Sequence, residues 1–166
     1  MSPSTERRGL GKRGELLVLT QFVLMIGFAL LPVWHPGLTS AELADTLPWL
    51  RLPLAGLLGV AALLLALLGA HHIRDYLTPL PYPVDHSQLV QHGVYGIVRH
   101  PLYTSLLSAG LSWIIYNLSL SHLLLWIIGF AFFDYKAGKE ERWLTERHPE
   151  YVNYAKRVRK FVPFLY

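Results

Sequence analysis

The feature that most constrains this chain is the stretch from Pro101 to Phe133, thirty-three residues without a formally charged side chain. As one helix it would run about 50 Å at 1.5 Å per residue. That is far more than the roughly 30 Å hydrocarbon core of a bilayer. Its middle, Asn117-Leu118-Ser119-Leu120-Ser121-His122, carries the polar residues of a turn. The stretch therefore predicts a helical hairpin with arms at about 102–116 and 122–135.

Two more uncharged runs precede it, Leu16 to Val33 and Leu52 to Ala70, of eighteen and nineteen residues. A spanning helix needs about 20 apolar residues. The first run is longer than the roughly 7–15 residues of a signal-peptide core, and it ends in Pro32-Val33-Trp34 instead of a small-residue cleavage site. It reads as a retained span. In the second, Gly56 and Gly59 with Ala55, Ala62 and Ala66 offer small faces for close helix contact. The expected fold is all-α: a polytopic membrane helix bundle in one domain, 1–166. Its four transmembrane helices lie at about 16–33, 52–70, 102–116 and 122–135, and a cytosolic C-terminal helical segment follows. In that segment Glu140 to Arg147 reads as a short amphipathic helix, broken by His148-Pro149, and Phe161 to Tyr166 as an apolar return to the membrane surface.

The charges give this arrangement a direction. Arg7, Arg8, Lys12 and Arg13 precede the first span, Arg74 and Arg99 lie between the second and third, and eight basic residues follow the fourth. Only Arg51 falls on the other side, so the positive-inside rule puts both termini in the cytoplasm of a multi-pass protein.

Composition removes several kinds of chemistry. The chain has no cysteine, which excludes disulfides, thiolate catalysis and thiolate metal ligation. His71-His72 lacks the HExxH pattern and no other histidine cluster has ligand spacing, so no metal is expected. There is no glycine-rich phosphate loop and no GxSxG elbow. Nucleic-acid binding would need a basic face on a soluble body, which this is not.

Two polar constellations remain. The first is Gln91 to Tyr103, QHGVYGIVRHPLY, where loop becomes span. A cation at the centre of a span costs about 2.5–3.5 kcal/mol on insertion scales, so Arg99 belongs at the interface. It could be a topological anchor there, with Pro101 simply starting a helix. Its neighbours suggest more: Gly93 permits close approach, Tyr95 and Tyr103 carry hydroxyls, and His100 titrates near neutrality. The second is Glu140-Glu141, which also fits an ordinary solvated helix face. Between spans two and three, the alternating prolines of Thr78 to Val84 force an extended path.

Those residues carry a resemblance. LVQHGVYGIVRHPLYTS resembles the motif L-V-x-x-G-x-Y-x-x-x-R-H-P-x-Y of the isoprenylcysteine carboxyl methyltransferase family, found in looser form in phospholipid N-methyltransferases. EERWLTERHPEYVNYAKRVRKFVP resembles that family's second motif, and together the two cover about Leu77 to Pro163. The resemblance implies an integral-membrane methyltransferase whose cofactor-binding half is 77–163. It would use S-adenosylmethionine, releasing S-adenosylhomocysteine, with a lipidic or prenylated acceptor. It implies cofactor positions at Gln88, Leu89, Val90, Tyr95, His100, Pro101, Leu102, Tyr103 and Glu140, with Glu141 completing the acidic pair. It places Arg99 beside the reacting end of the acceptor, with Arg99 and His100 as the catalytic candidates. A basic substrate contact four residues before the acidic pair is Lys136 here instead of Arg, which gives up a bidentate grip on a carboxylate.

Prenylcysteine-type carboxyl O-methylation is the first expectation. Phosphatidylethanolamine-type N-methylation would need a base to deprotonate the amine, for which His100 is nearest. A sterol-reductase-like NADPH enzyme, which carries a related R-H-x-x-Y stretch, and a non-enzymatic membrane scaffold are the alternatives of other classes. The acidic pair argues against a phosphate-rich cofactor.

Overall fold

The computed structural model describes residues 14–37, 42, 45–75 and 88–166. The basic residues before Gly14 and the proline-alternating stretch Thr78 to Val84 lie outside the described residues. Among the described residues there are five α-helices, one 3-10 turn and no strand. The helices are α1 (Glu15–Leu30), α2 (Pro48–His72), α3 (Pro101–Asn117), α4 (Leu120–Arg147) and α5 (Tyr151–Arg157), and the turn is Gly93–Gly96.

Each of the four apolar runs has become a helix, and local chemistry sets the ends. α1 stops at Leu30, short of the expected Val33, because Pro32 disfavours helical backbone at Leu31, which is extended at ψ 130°. α2 begins four residues earlier than expected, with Pro48 in its first turn where the missing N–H costs nothing. Leu118 is left-handed at φ 51° and ends α3. Ser119 then caps α4, its hydroxyl accepting from the His122 amide. The hairpin expected from Pro101 to Phe133 is therefore present, with its turn at Leu118-Ser119.

α4 departs from the expectation at its other end. No break separates the last apolar arm from the charged segment: one helix of 28 residues, about 42 Å long, carries both. Nothing in Asp134 to Lys139 terminates a helix, so Glu140 to Arg147 is the end of α4 and not a separate amphipathic helix. The apolar part ends near Phe133, and the charged turns project beyond it.

The four long helices pair antiparallel. Ser112 of α3 donates to the Ala55 carbonyl of α2 at 2.7 Å, while at the opposite end of this pair a Cβ on Gly69 would meet Leu102 at 3.1 Å. α1 closes on α4: the Leu120 amide donates to the Trp34 carbonyl at 2.9 Å, and Ser121 donates to the Pro32 carbonyl at 2.7 Å. His122, fully buried, joins Ser119 at 2.7 Å and packs edge-on against Phe28 at 4.8 Å. α3 and α4 cross at Gly110, where a side chain would stand 2.8 Å from Trp126.

α2 (Pro48–His72) and α4 are long and apolar enough to cross a membrane. Most of α2's leucines, among them Leu57, Leu63 and Leu67, point outward, not into the protein. A helix that is apolar all round and faces away from its own core has a lipid-facing surface. The small packed core lies instead at one end of the bundle, formed by Leu107, Phe133, Ala137 and Phe161 with Tyr103 against them. Phe161 is 1% exposed, so the expected return to the surface begins only after it, at Phe164 and Leu165.

Candidate active site

The core end of the bundle is where the two polar constellations meet. The chain enters it at Gly93, whose φ of 60° suits glycine and whose position leaves no room for a side chain: a Cβ would stand 2.1 Å from His72 Nε2. The 3-10 turn that follows buries Val94 and sends Val98 into a parallel bridge with Arg159. Through it the Arg99 amide donates to the Arg159 carbonyl at 2.8 Å and the His100 amide to the Lys160 carbonyl at 3.2 Å. Thr104 adds a bond to the Phe161 carbonyl at 3.1 Å. The Arg-His-Pro step is thus held by backbone bonds to the C-terminal tail, sixty residues away in sequence.

α4 supplies the other half. Residues at i, i+3, i+4, i+7 and i+8 share a helix face, which places Phe133, Lys136, Ala137, Glu140 and Glu141 together toward the start of α3. Glu141 Oε1 accepts from Arg99 Nε at 3.0 Å, pairs with Nη2 at 2.9 Å and lies 2.9 Å from His100 Nε2. Glu140 Oε2 is 3.4 Å from His100 Nδ1, and Tyr103 hydrogen-bonds Glu140 while its ring stacks on His100 at 5.4 Å.

Burial works against the charge on Glu141 and His100, and for both of them mutual pairing wins. The Glu141 carboxyl is raised by burial but lowered further by the hydrogen bonds and charges of His100 and Arg99, and ends at about 2. Burial pushes the His100 imidazole down, yet the two carboxylates more than reverse this and hold it above its ordinary value. Burial, with Glu140 nearby, raises the Tyr95 phenol and keeps it neutral.

The expected site residues fall into three neighbouring groups. Arg99, His100, Tyr103, Glu140 and Glu141 form the cluster just described. The guanidinium of Arg99 is turned inward: besides Glu141 it donates from Nη1 to the carbonyls of Ala155, at 3.0 Å, and Val158. Both ring nitrogens of His100 face carboxylates. Gln88, Leu89 and Val90 line a cavity of about 540 Å³ together with His71, His72, Arg74, Asp75 and His92. Tyr95 stands between cavity and cluster, its hydroxyl 3.5 Å from the Gly69 carbonyl and its own carbonyl accepting from Tyr154 at 2.6 Å. Pro101 and Leu102 do not line the cavity and pack on Gly69 near the end of α2.

Lys136 makes the third group. It is 2% exposed, donates to Gln21 of α1 and lies over the Tyr103 ring at 5.1 Å. Gln21 was not among the expected site residues, although a lone amide in an apolar span is a signal of function in its own right. Asp134 was missed as well; it accepts from Lys160 at 2.5 Å and from Tyr166 at 2.9 Å, tying the tail to α4. Among the described residues, no three His, Asp or Glu side chains converge as a metal site.

Outward-facing helices of bilayer length, with a buried charged cluster and a polar cavity at one end, define the class: a membrane protein built around a reactive site. The probable protein-S-isoprenylcysteine O-methyltransferases of Oryza sativa subsp. indica and subsp. japonica are each 28% identical to the chain over 156 residues, which is 91% of this chain and 80% of each relative. Protein-S-isoprenylcysteine O-methyltransferase B of Arabidopsis thaliana is 36% identical over 84 residues, 49% of this chain and 42% of that relative. No protein-family model and no solved structure matches the chain. The chain is thus similar over most of its length to proteins named isoprenylcysteine O-methyltransferases, and it is a methyltransferase.

Proposed function

We propose that this protein methylates the carboxylate of a prenylated cysteine, with S-adenosylmethionine as donor, at the cytoplasmic end of a four-span bundle. The observation that carries the reading is the joining of both motifs in one buried cluster, Arg99-His100 with Glu140-Glu141, beside the cavity at Gln88 to Val90.

The residues present suit the donor. A cavity of about 540 Å³ lies within the range of small-molecule sites, and the rings of His71, His72 and His92 line it. Glu141 is committed through Oε1 to Arg99 and His100, whereas Glu140 makes a longer contact to His100 and takes the bond from Tyr103. Glu140 therefore keeps lone pairs for ribose hydroxyls or an ammonium group, and Gln88, Leu89, Val90, Tyr95 and His100 to Tyr103 would complete the enclosure. Bound there, S-adenosylmethionine supplies an electrophilic methyl group and leaves as S-adenosylhomocysteine.

The chain's own contribution is alignment and exclusion of water. A carboxylate is already a nucleophile at neutral pH, so an in-line displacement needs positioning more than proton transfer. This favours O-methylation over N-methylation: both ring nitrogens of His100 are taken up by carboxylates, so neither is placed to deprotonate an amine. Arg99, fully engaged within the protein, acts on this reading by setting Glu141 and the α5 end in place, with Lys136 left as the cation for the acceptor. The apolar flanks of α1 and α2 admit a prenyl chain from the bilayer.

The charge asymmetry and the antiparallel pairing support a topology with both termini cytoplasmic, and the two motifs support residues 77–163 as the cofactor-binding half of one domain. α3, at 17 residues, meets the lower bound of about 17 for a crossing helix, and Leu31 to Val33 extend α1. Purified protein should transfer radiolabelled methyl from S-adenosylmethionine to an S-prenylated cysteine and not to phosphatidylethanolamine. Label on the phospholipid alone would overturn the acceptor assignment, and no calorimetric binding of S-adenosylhomocysteine would overturn the donor.

A further inference from the structure

The polar contact between α1 and α4 lies at the edge of the motif cluster and buries a lysine ammonium. Lys136 follows directly on the apolar arm of α4 and is 2% exposed. Its hydrogen bond goes to an amide from another helix: Lys136 Nζ donates to Gln21 Oε1 and lies over the Tyr103 face, with Glu140 one turn on as the nearby carboxylate. A buried ammonium has three donors to satisfy, and one amide oxygen with one ring face leaves it a donor to give. Gln21 is only partly buried, whereas Lys136 is fully buried. Among the described residues the two N–H donors of Gln21 find Met25 Sδ, at 3.9 Å, a weak acceptor.

We infer that Gln21 and Lys136 together form the seat for the acceptor's carboxylate, with Gln21 supplying the second donor that a lysine lacks. The inference rests on the proposed prenylcysteine reading and names the recognition element within it. A lysine is a point charge, while an arginine at the same place would offer a two-pronged donor. The terminal amide torsion of glutamine is broad and roughly two-fold. A half turn exchanges Oε1 for Nε2, so an arriving carboxylate meets one N–H from Gln21 and one from Lys136. Tyr103 fixes the geometry from below: its ring carries the ammonium while its hydroxyl is held by Glu140. The same side chain thus joins the carboxylate seat to the residue proposed to hold the donor. An acceptor entering along α1 reaches Lys136 by displacing Gln21 Oε1, so a chain end without an anion gains nothing by entering.

The test uses full-length protein in detergent and two probes, an S-prenylated cysteine and its carboxamide, which cannot be O-methylated and reports tail binding by competition. Gln21→Met keeps length and removes both polar atoms. Gln21→Glu keeps an acceptor for Lys136, which guards against a folding failure, and places a negative charge in the seat. Both should bind S-adenosylhomocysteine as the wild type does and be inhibited equally by the carboxamide. The KM for the prenylcysteine should rise about tenfold or more in Gln21→Met, the loss expected for a hydrogen bond to a charged group, and further in Gln21→Glu. An unchanged KM in either variant, with cofactor binding intact, would overturn the seat while leaving the methyltransferase reading standing. A wild-type protein that methylates no prenylcysteine would overturn the acceptor reading and the seat with it.

Discussion

Replacing Glu141 by Gln is the perturbation for which the structure gives the firmest magnitude. The carboxylate receives Arg99 Nε and Nη2 at 3.0 and 2.9 Å and His100 Nε2 at 2.9 Å, and its side chain is 19% exposed. Its carboxyl is held at about 2 against an ordinary 4.5, despite burial that would raise it. At 1.36 kcal/mol per unit the ionised form is stabilised by about 3 kcal/mol. Breaking a buried ion pair from one side costs roughly 3–5 kcal/mol, so the two routes agree. In a chain of this size 1 kcal/mol corresponds to about 2–4 °C, so Glu141→Gln should lower Tm by roughly 6–12 °C at pH 7. The folded-state value is depressed, so this contribution is complete above about pH 4.5 and is lost as pH falls toward 2. The Tm gap between wild type and variant, followed by thermal unfolding in detergent, should therefore close as pH is lowered through that window. A gap below about 2 °C, or one that stays constant from pH 6 to pH 2.5, would refute the reasoning.

His100 carries the opposite sign: its folded-state value is raised, so its contribution is complete below about pH 6.5 and is lost as pH rises through the raised value. His100→Gln should accordingly flatten the alkaline limb of the stability profile, read as Tm from pH 6 to pH 9. Gly93→Ala meets both a left-handed backbone, worth about 1–2 kcal/mol, and the His72 ring at 2.1 Å. It should weaken S-adenosylhomocysteine binding by calorimetry more than it lowers Tm, because His72 and His92 line the cavity. Gly110→Val would push α3 off Trp126, which donates to the Leu107 carbonyl at 2.8 Å, and should cost about 1–3 kcal/mol in thermal unfolding without changing the KM for the donor.

What could be read from the chain and what could not divide along a physical line. Hydropathy, proline and charge are local properties, so the sequence by itself determined that there would be four apolar helices and a hairpin over Pro101 to Phe133. It also determined that the polar residues worth attention sit at Gln91 to Tyr103 and Glu140-Glu141. Helix ends needed only the neighbours of Pro32, Pro48 and Ser119. The continuity of α4 beyond Phe133 was obscured because a change of polarity looks like a boundary, while a helix backbone is indifferent to it as long as no residue breaks it.

Partner choice is non-local, and only the tertiary structure decided it. Arg99 reads as facing a substrate, but Glu141 and the carbonyls of Ala155 and Val158, more than forty residues on, take its donors. Phe161 reads as a surface anchor and is core, because the tail pairs with the Arg-His backbone and carries that ring between Phe130 and His100. Gln21 and Lys136 lie 115 residues apart and meet only because α1 and α4 run antiparallel with their far ends pinned at Trp34 and Leu120. Desolvation makes each of these pairings costly to leave unmade, and it acts on whichever groups the packed helices bring within reach.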